Sequence, residues 1–444
     1  MVESRQARYP RGVVLLSTVT LVLASCTAQP GATSPPAAAT GEGSGEAVTL
    51  NILHYQAGGD SKAGPMADAL AAFAEQYPNI TVEEQTADSP DSLATLYETA
   101  SVAGEEPDIV ITNLFGKTTS WLENGATVPV TDMIRDWGLA DTLLPEAVAQ
   151  WTTAEGEVQA FPFEGFTWPT WYNLAILEEA GVDEVPTTTD DLIAAAEKIR
   201  AAGLEPFVTG GSDWNGNKLF SLILQTFVPS DEAIQLFSDG GWSESETARQ
   251  GIELFVELRD AGVFADSVEG FTVDSMGTAF YGAEAAMMSN GAWAYAGTPP
   301  DVQADVFLSG FPLPAGAVVD KPLVYNGWTS TAFWISPNGA EKLDAVESFI
   351  TFFYQPEILA DYVTRATISV PVDLESLPVD TSTLDPLYIQ ASTEMQERTE
   401  SAVLQDAYVP AAADSAFTRA TSLAYTPGTS VDEIIEALDQ AYQP

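Results

Sequence analysis

The chain has 444 residues and sets 64 Asp and Glu against 16 Lys and Arg, a formal net charge of −48, with one His and one Cys. That balance excludes nucleic acid as a partner and disfavours anionic lipid head groups, because both repel a polyanion; it suits neutral or cationic ligands, although solubility of an exported protein accounts for it as well. A lone cysteine excludes a disulfide within the chain, and a lone histidine with no second His or Cys beside it leaves no usual metal cluster, so neither metal nor cofactor is expected.

The first predicted element is a leader. Arg5, Arg8 and Arg11 form a basic start, and the apolar run Val13 to Ala24 is too short for a permanent membrane span. The run closes on Leu23-Ala-Ser-Cys26, which resembles the lipobox of bacterial lipoproteins, in which the cysteine is acylated and the chain is cut before it. The alternative is an ordinary secretory signal with an accidental cysteine. On either reading residues 1–25 are a signal peptide, and the remainder works outside the cytoplasm. Residues 26–47 are then the lipidated Cys26 and a tether of Pro, Gly, Ala, Ser and Thr that cannot bury enough apolar surface to fold. Extended, that tether reaches roughly 70 Å. The implied place is the extracytoplasmic face of a cell membrane, held there by lipid.

From Val48 onward strands and helices alternate. Val48 to His54 has period two, Met66, Leu70, Phe73, Ala74 and Tyr77 share a helix face, and Ile80 to Val82 reads as a strand. Leu93, Leu96, Tyr97 and Ala100 return to helical spacing before a short buried strand at Asp108 to Ile111. This βαβαβ order argues for an α/β sheet whose ligands lie outside the carboxyl ends of its strands. After Phe161-Pro-Phe163, Thr188 and Asp191 predict a capping box for a helix that carries Leu192, Ile193, Ala196 and Ile199 and stops near Gly203. Further helices are expected at 246–261, 340–354 and 430–442. The body is longer than one core usually holds, so two lobes are expected. After the leader no apolar run is long enough to cross a membrane.

Several stretches share one resemblance. Phe73 to Val82, Glu106-Pro-Asp-Ile-Val110, Trp171-Tyr-Asn173, Pro186-Thr-Thr-Thr-Asp-Asp-Leu192 with Ala195-Ala-Glu-Lys-Ile-Arg-Ala-Ala-Gly203, Phe280 to Met288 with Gly291-Ala-Trp293, and Ser430 to Asp439 follow one another in the chain. In that order they resemble the extracellular solute-binding proteins of family 1, the sugar-binding receptors of ABC importers that include maltose-binding protein. The resemblance implies an α/β, two-lobed periplasmic-binding-protein fold of type II with the ligand in the cleft between lobes, closed by a hinge. It implies a non-enzymatic receptor, expected as a monomer, that captures a neutral mono- or oligosaccharide and delivers it to the permease transmembrane subunits. On this reading the first lobe takes 48–158 and 310–364 and the second 159–309 and 365–444, with crossings near Ala160 to Pro162, Phe311 to Pro314 and Arg365 to Val370.

A pyranose presents a C–H face and a rim of hydroxyls, so a site for it needs flat aromatic rings together with side chains that both donate and accept. Trp293, after Gly291, stands where the family's stacking tryptophan stands, with a core position as the alternative. Trp214 and Asp213, flanked by glycines, are expected to stack and to hydrogen-bond. Phe166 occupies the position of an acidic sugar contact in maltose-binding protein, so Glu164 or Trp168 would replace it; the alternation sets Glu164, Phe166 and Trp168 on one strand face that meets either cleft or core. Trp328 near a crossing, and Tyr55 and Asn113 at the ends of the first and third strands, are further ligand candidates, and Arg365 binds a hydroxyl or pairs with an acid. Trp334 is expected in the core. Ala416-Phe-Thr418 lacks the aromatic platform that follows in maltose-binding protein, which turns the expectation from maltodextrins to another neutral sugar. His54, on a core strand, is expected to be structural. A lipid-anchored glycoside hydrolase, which needs two carboxylates across one bond, or a carbohydrate-binding surface adhesin is the alternative function.

Overall fold

The period-two run after the tether forms β1 (Val48–His54), and with β2 (Ile80–Thr86) and β3 (Ile109–Thr112) it makes a parallel trio joined through the helices Ala63–Gln76 and Pro90–Ala103. The computed structural model describes residues 47–443; the leader, Cys26 and the tether through residue 46 lie outside the described residues. Ser89 caps the second helix through a reciprocal bond with Ser92, and Gly104 ends it at φ 70°, a left-handed position open to glycine at little cost.

Seven more strands complete two sheets: β4 (Phe161–Trp168), β5 (Thr170–Asn173), β6 (Glu205–Val208), β7 (Ala285–Ser289), β8 (Val306–Ser309), β9 (Leu323–Ile335) and β10 (Glu400–Ser401). The first sheet runs β10-β9-β3-β1-β2 with β4 paired to β9, and the second runs β6-β7-β5-β8. Strand β9 is antiparallel to β3 and β4, so it brings chain back across the carboxyl ends of the parallel trio. In the second sheet β6 and β7 are parallel and β5 is antiparallel to both β7 and β8.

Alternation in the second sheet sorts its side chains into two apolar layers. Trp171, Val208, Met288 and Leu308 join the cluster built around the first sheet, whereas their neighbours Tyr172, Phe207 and Met287 join the other, with Leu219, Phe255 and Phe417. Burying each such large side chain is worth about 1.5–3 kcal/mol, so a sheet covered on both faces is the stable solution.

Several expectations shift. Residues 310–322, expected in the first lobe, bond to the start of β9 and to two segments of the chain between β5 and β7: Phe311 N–H to Leu323 O (3.0 Å), Leu313 N–H to Thr187 O (3.2 Å) and Val318 N–H to Thr226 O (2.9 Å). The passage to the first sheet is made by β9. Near the last expected crossing, Gly165 N–H donates to Ser369 O (2.8 Å) and Leu144 N–H to Pro371 O (2.9 Å), so that segment runs beside β4. The helix expected over 340–354 is two, Pro337–Ala340 and Leu343–Phe353. Thr188 does cap Thr189–Ala201 by accepting from Asp191 N–H, but the Asp191 carboxylate receives the Thr188 hydroxyl (2.7 Å). The reciprocal bond to the cap's own N–H forms instead at Ser430 with Glu433 and at Ser89 with Ser92.

Candidate ligand-binding site

Three tryptophans from three elements meet at the carboxyl ends of β6 and β7. Trp168 ends β4, Trp214 opens the helix Trp214–Leu224 after β6, and Trp293 follows β7. Ring centroids are 5.0 Å apart for Trp168 and Trp293, 5.4 Å for Trp168 and Trp214, and 5.9 Å for Trp214 and Trp293, with interplanar angles of 85°, 73° and 58°. The two pairs made by Trp168 are edge-to-face, the arrangement that the ring quadrupole favours, and Trp214 and Trp293 are tilted to each other. Trp168 is buried, Trp293 half-buried and Trp214 is 41% exposed, so the cluster presents indole surface rather than a closed core.

Hydrogen bonds fix the Trp168 ring and the start of the helix that carries Trp214. Trp168 Nε1–H donates to Ser289 Oγ (3.1 Å) at the end of β7. Asn215 is fully buried; its carboxamide donates to Ser289 O (3.0 Å) and accepts from Thr209 Oγ1 (2.7 Å) and Gly210 N–H (2.9 Å). That lashes the start of the Trp214 helix to β6 and β7 together. Asp213 caps the same helix: one oxygen accepts from Asn215 N–H (2.9 Å) and the other from Val273 N–H (2.8 Å), at the start of the helix Val273–Tyr281. Burial pushes the Asp213 carboxyl up and the two N–H donors pull it back. Gly291 is required because the Trp293 ring folds over it: a Cβ there would stand 2.2 Å from ring atoms.

The second group lies at the carboxyl end of β1. Glu164, wholly buried on β4, accepts from Gln56 Nε2 (2.5 Å), Thr331 Oγ1 (2.7 Å) and Lys62 Nζ (3.4 Å). The Tyr55 hydroxyl lies 3.2 Å from Thr331 Oγ1 and 3.4 Å from Lys62 Nζ, and Tyr362 OH donates to Gln56 Oε1 (3.2 Å). Thr331 has one proton and gives it to Glu164, so Tyr55 must donate to Thr331 and Lys62 to Tyr55: the ring runs one way, from ammonium to carboxylate. Burial pushes the Glu164 carboxyl up against the pull of the Lys62 charge; burial works against the Lys62 ammonium, but Glu164, Tyr55 and Asp60 hold it firmly protonated. The end of β1 carries His54, 1% exposed, whose Nδ1 accepts from Gln56 N–H (3.1 Å).

Strands β4 and β9 connect the two groups. Their register slips between Pro162 and Glu164 and again between Glu164 and Phe166, bulges that re-aim side chains as the pair passes from one sheet's neighbourhood to the other's. Trp328 lies inside β9 at the second bulge; its half-buried ring covers Gly165, and its carbonyl accepts from Trp151 Nε1 (2.6 Å).

Of the sequence candidates, Trp168, Trp214, Trp293 and Asp213 come together in one group, and Tyr55 and Glu164 in the other. Glu164 offers the open cleft no surface, and Phe166, 6% exposed, packs in the second apolar cluster. Asn113 is half-buried after β3, its side-chain oxygen enclosed without a partner. Arg365 joins neither group, bonding Asp68 (2.6 Å) and Asp361 (2.7 Å) at the surface. Trp334 is fully buried. Sequence reasoning missed Lys62, Gln56, Thr331, Ser289 and Asn215. Lys62 alone carried a signal, a scarce cation in the loop just past β1.

Among the described residues no three His, Cys, Asp or Glu are grouped to hold a metal ion, and no helix is long and apolar enough to cross a membrane.

Comparison with known proteins agrees with this architecture. A probable secreted solute-binding lipoprotein from Streptomyces coelicolor superposes with a TM-score of 0.78 at 40% identity, over 89% of this chain and 98% of that one. A chitin oligosaccharide binding protein superposes equally well, TM-score 0.78, at 21% identity over 90% of this chain and 98% of its own, a likeness of fold. An uncharacterized ABC transporter extracellular-binding protein of Pyrococcus horikoshii is 27% identical over 320 residues, 68% of this chain and 69% of that protein. The sequence profile of the bacterial extracellular solute-binding proteins matches residues 58–359. With the antiparallel return strand β9, the two sheets and their aromatic and polar faces in place, the chain belongs to the bacterial extracellular solute-binding protein family, the non-enzymatic receptors of ABC transporters.

Proposed function

We propose that this protein captures a neutral mono- or oligosaccharide between two lobes and delivers it to the transmembrane subunits of an ABC importer, from the outer face of the membrane to which acylated Cys26 holds it. The observation that carries this reading is the indole surface of Trp214 and Trp293 backed by Trp168. Flat apolar rings suit the C–H face of a pyranose. Relatives named as probable sugar-binding periplasmic proteins, among them one of Rhizobium meliloti at 29% identity over 124 residues, support the same class of solute. Glu164 and Asp213 already spend their oxygens on protein donors, which favours binding over hydrolysis.

The test is a thermal-shift screen of the mature protein against maltose, N,N′-diacetylchitobiose, xylobiose, galactose and raffinose. A sugar that binds the folded state at 100 times its Kd adds about 2.7 kcal/mol of stability and raises Tm. Calorimetry and product analysis should then find one sugar bound per chain and returned intact. No shift with any sugar, or cleavage of the one that binds, would overturn the proposal.

A further inference from the structure

A cavity of about 740 Å³ lies between the loop that leads into the helix Thr189–Ala201 and the chain from β8 to the start of β9. None of the residues that line it belongs to the tryptophan group or to the Glu164 group. Small-molecule pockets run to about 300–1,000 Å³, so it has room for a ligand. Its two sides are tied by the parallel bridge of Thr188 with Leu313, through Leu313 N–H on Thr187 O (3.2 Å) and Thr189 N–H on Leu313 O (3.1 Å). Pro186, Pro314 and Pro322 stand in its walls with Phe307 and Leu313. Proline fixes its own φ, so these apolar walls are set before any ligand arrives.

Arg398, at the end of the helix Met395–Arg398, lines the same space and is half-buried. Its guanidinium carbon lies 4.6 Å from the centre of the Phe307 ring, and Nη2 donates to Leu308 O (3.0 Å) on the edge strand of the second sheet. The chain has 64 acids for 16 bases, and cations elsewhere hold carboxylates, Lys117 on Asp91 (2.8 Å) and Lys342 on Asp108 (2.8 Å) among them. Among the described residues Arg398 holds none: its Nε is enclosed without an acceptor, and Leu308 O is the single protein acceptor for the whole fork of donors. Asp190 and Asp320 also line the cavity, but both are exposed and neither pairs with the guanidinium. The hydroxyls of Thr187 and Ser309, in the same lining, have no hydrogen-bond partner among the described residues. In so acidic a chain, a half-buried guanidinium without an acid points to an acceptor that arrives from outside.

We propose that this cavity is a second ligand site, which takes a small monocarboxylate with an apolar body: the carboxylate meets Arg398 and the hydroxyls of Thr187 and Ser309, and the body lies against Phe307, Leu313 and the prolines. A planar guanidinium matches a planar carboxylate. A doubly charged phosphate would meet more repulsion from Asp190, Asp320 and the charge of the whole chain, and would gain nothing from the apolar walls. The site does not depend on which solute the tryptophan group takes.

The test is fluorine NMR of para-fluorobenzoate titrated with the mature protein. The probe should bind saturably, one per chain, and hexanoate should displace it where inorganic phosphate does not; no saturable binding, or equal displacement by phosphate, would overturn the proposal. Arg398→Gln should weaken the probe roughly tenfold or more, the loss expected of a charge-assisted hydrogen bond. Because Arg398 also holds Leu308 O, a second variant leaves that bond alone: Thr187→Trp fills the cavity from the opposite wall and should abolish binding at the wild-type Tm. Undiminished binding in either variant would refute the site. Trp214→Ala should leave probe affinity unchanged, and its loss there would place the carboxylate in the tryptophan group instead.

Discussion

Trp293 owes its place to one missing side chain at Gly291 and to two neighbouring indoles, so its removal is a local test of the site. Trp293→Ala should cost roughly 2–4 kcal/mol of sugar binding, a magnitude typical of a desolvated tryptophan anchor, with little change in Tm. A core residue would show the opposite pattern, about 3–5 kcal/mol of stability; calorimetry and melting of one variant separate them. Glu164 has a different part. Glu164→Gln leaves the Lys62 ammonium enclosed without its main counter-charge and should destabilise the fold by about 3–5 kcal/mol in urea titration, whereas adding Lys62→Met should recover most of that loss. The Gly-x-Trp spacing made Trp293 legible in the sequence. The role of Glu164 was not, because all eight residues of β4 are buried and alternation carries no information when both faces of a strand are covered.

At the scale of elements, the first βαβαβ unit could be read directly because β1, β2 and both helices mix exposed positions with buried ones and β3, buried throughout, is a short apolar run. The helix Trp214–Leu224 could not. Every residue from Asn215 to Leu224 is buried, polar ones included, so the segment reads as a glycine-rich loop running into a mixed sequence. Its polar members are satisfied inside, Asn217 by Gln405 (3.1 Å) and Lys218 by Asp406, and those partners lie nearly two hundred positions away in the chain. Asp213 decides where this helix begins. Asp213→Ala should remove the cap and the tie to Val273, costing about 1–2 kcal/mol of stability and weakening sugar binding by displacing Trp214; Asp213→Asn, which can still accept, should restore much of the stability. Strand β9 was illegible for another reason: Gly327 and the Thr-Ser-Thr run look like a turn, and the bulges that accommodate them exist only because β4 is alongside.

For the whole molecule, two lobes were expected from length and family likeness, and the segment Phe311 to Pro314, expected as a crossing, bonds to Leu323 and Thr187. Small-angle scattering should give a smaller radius of gyration with saturating sugar than without, and an unchanged radius would count against hinge closure. Anchoring is tested apart from folding: Cys26→Ala should leave uncleaved precursor or release protein to the medium, and normal processing with membrane retention would refute the lipobox reading. The tryptophan triad has one more consequence. Three indoles fixed at 5.0–5.9 Å and at oblique angles are close enough for their electronic transitions to mix, so the protein should show a paired positive and negative circular-dichroism band in the ultraviolet that no isolated tryptophan gives. A solute sliding onto Trp214 and Trp293 must disturb that coupling, which gives this receptor a built-in optical gauge of its own occupancy, readable without any label.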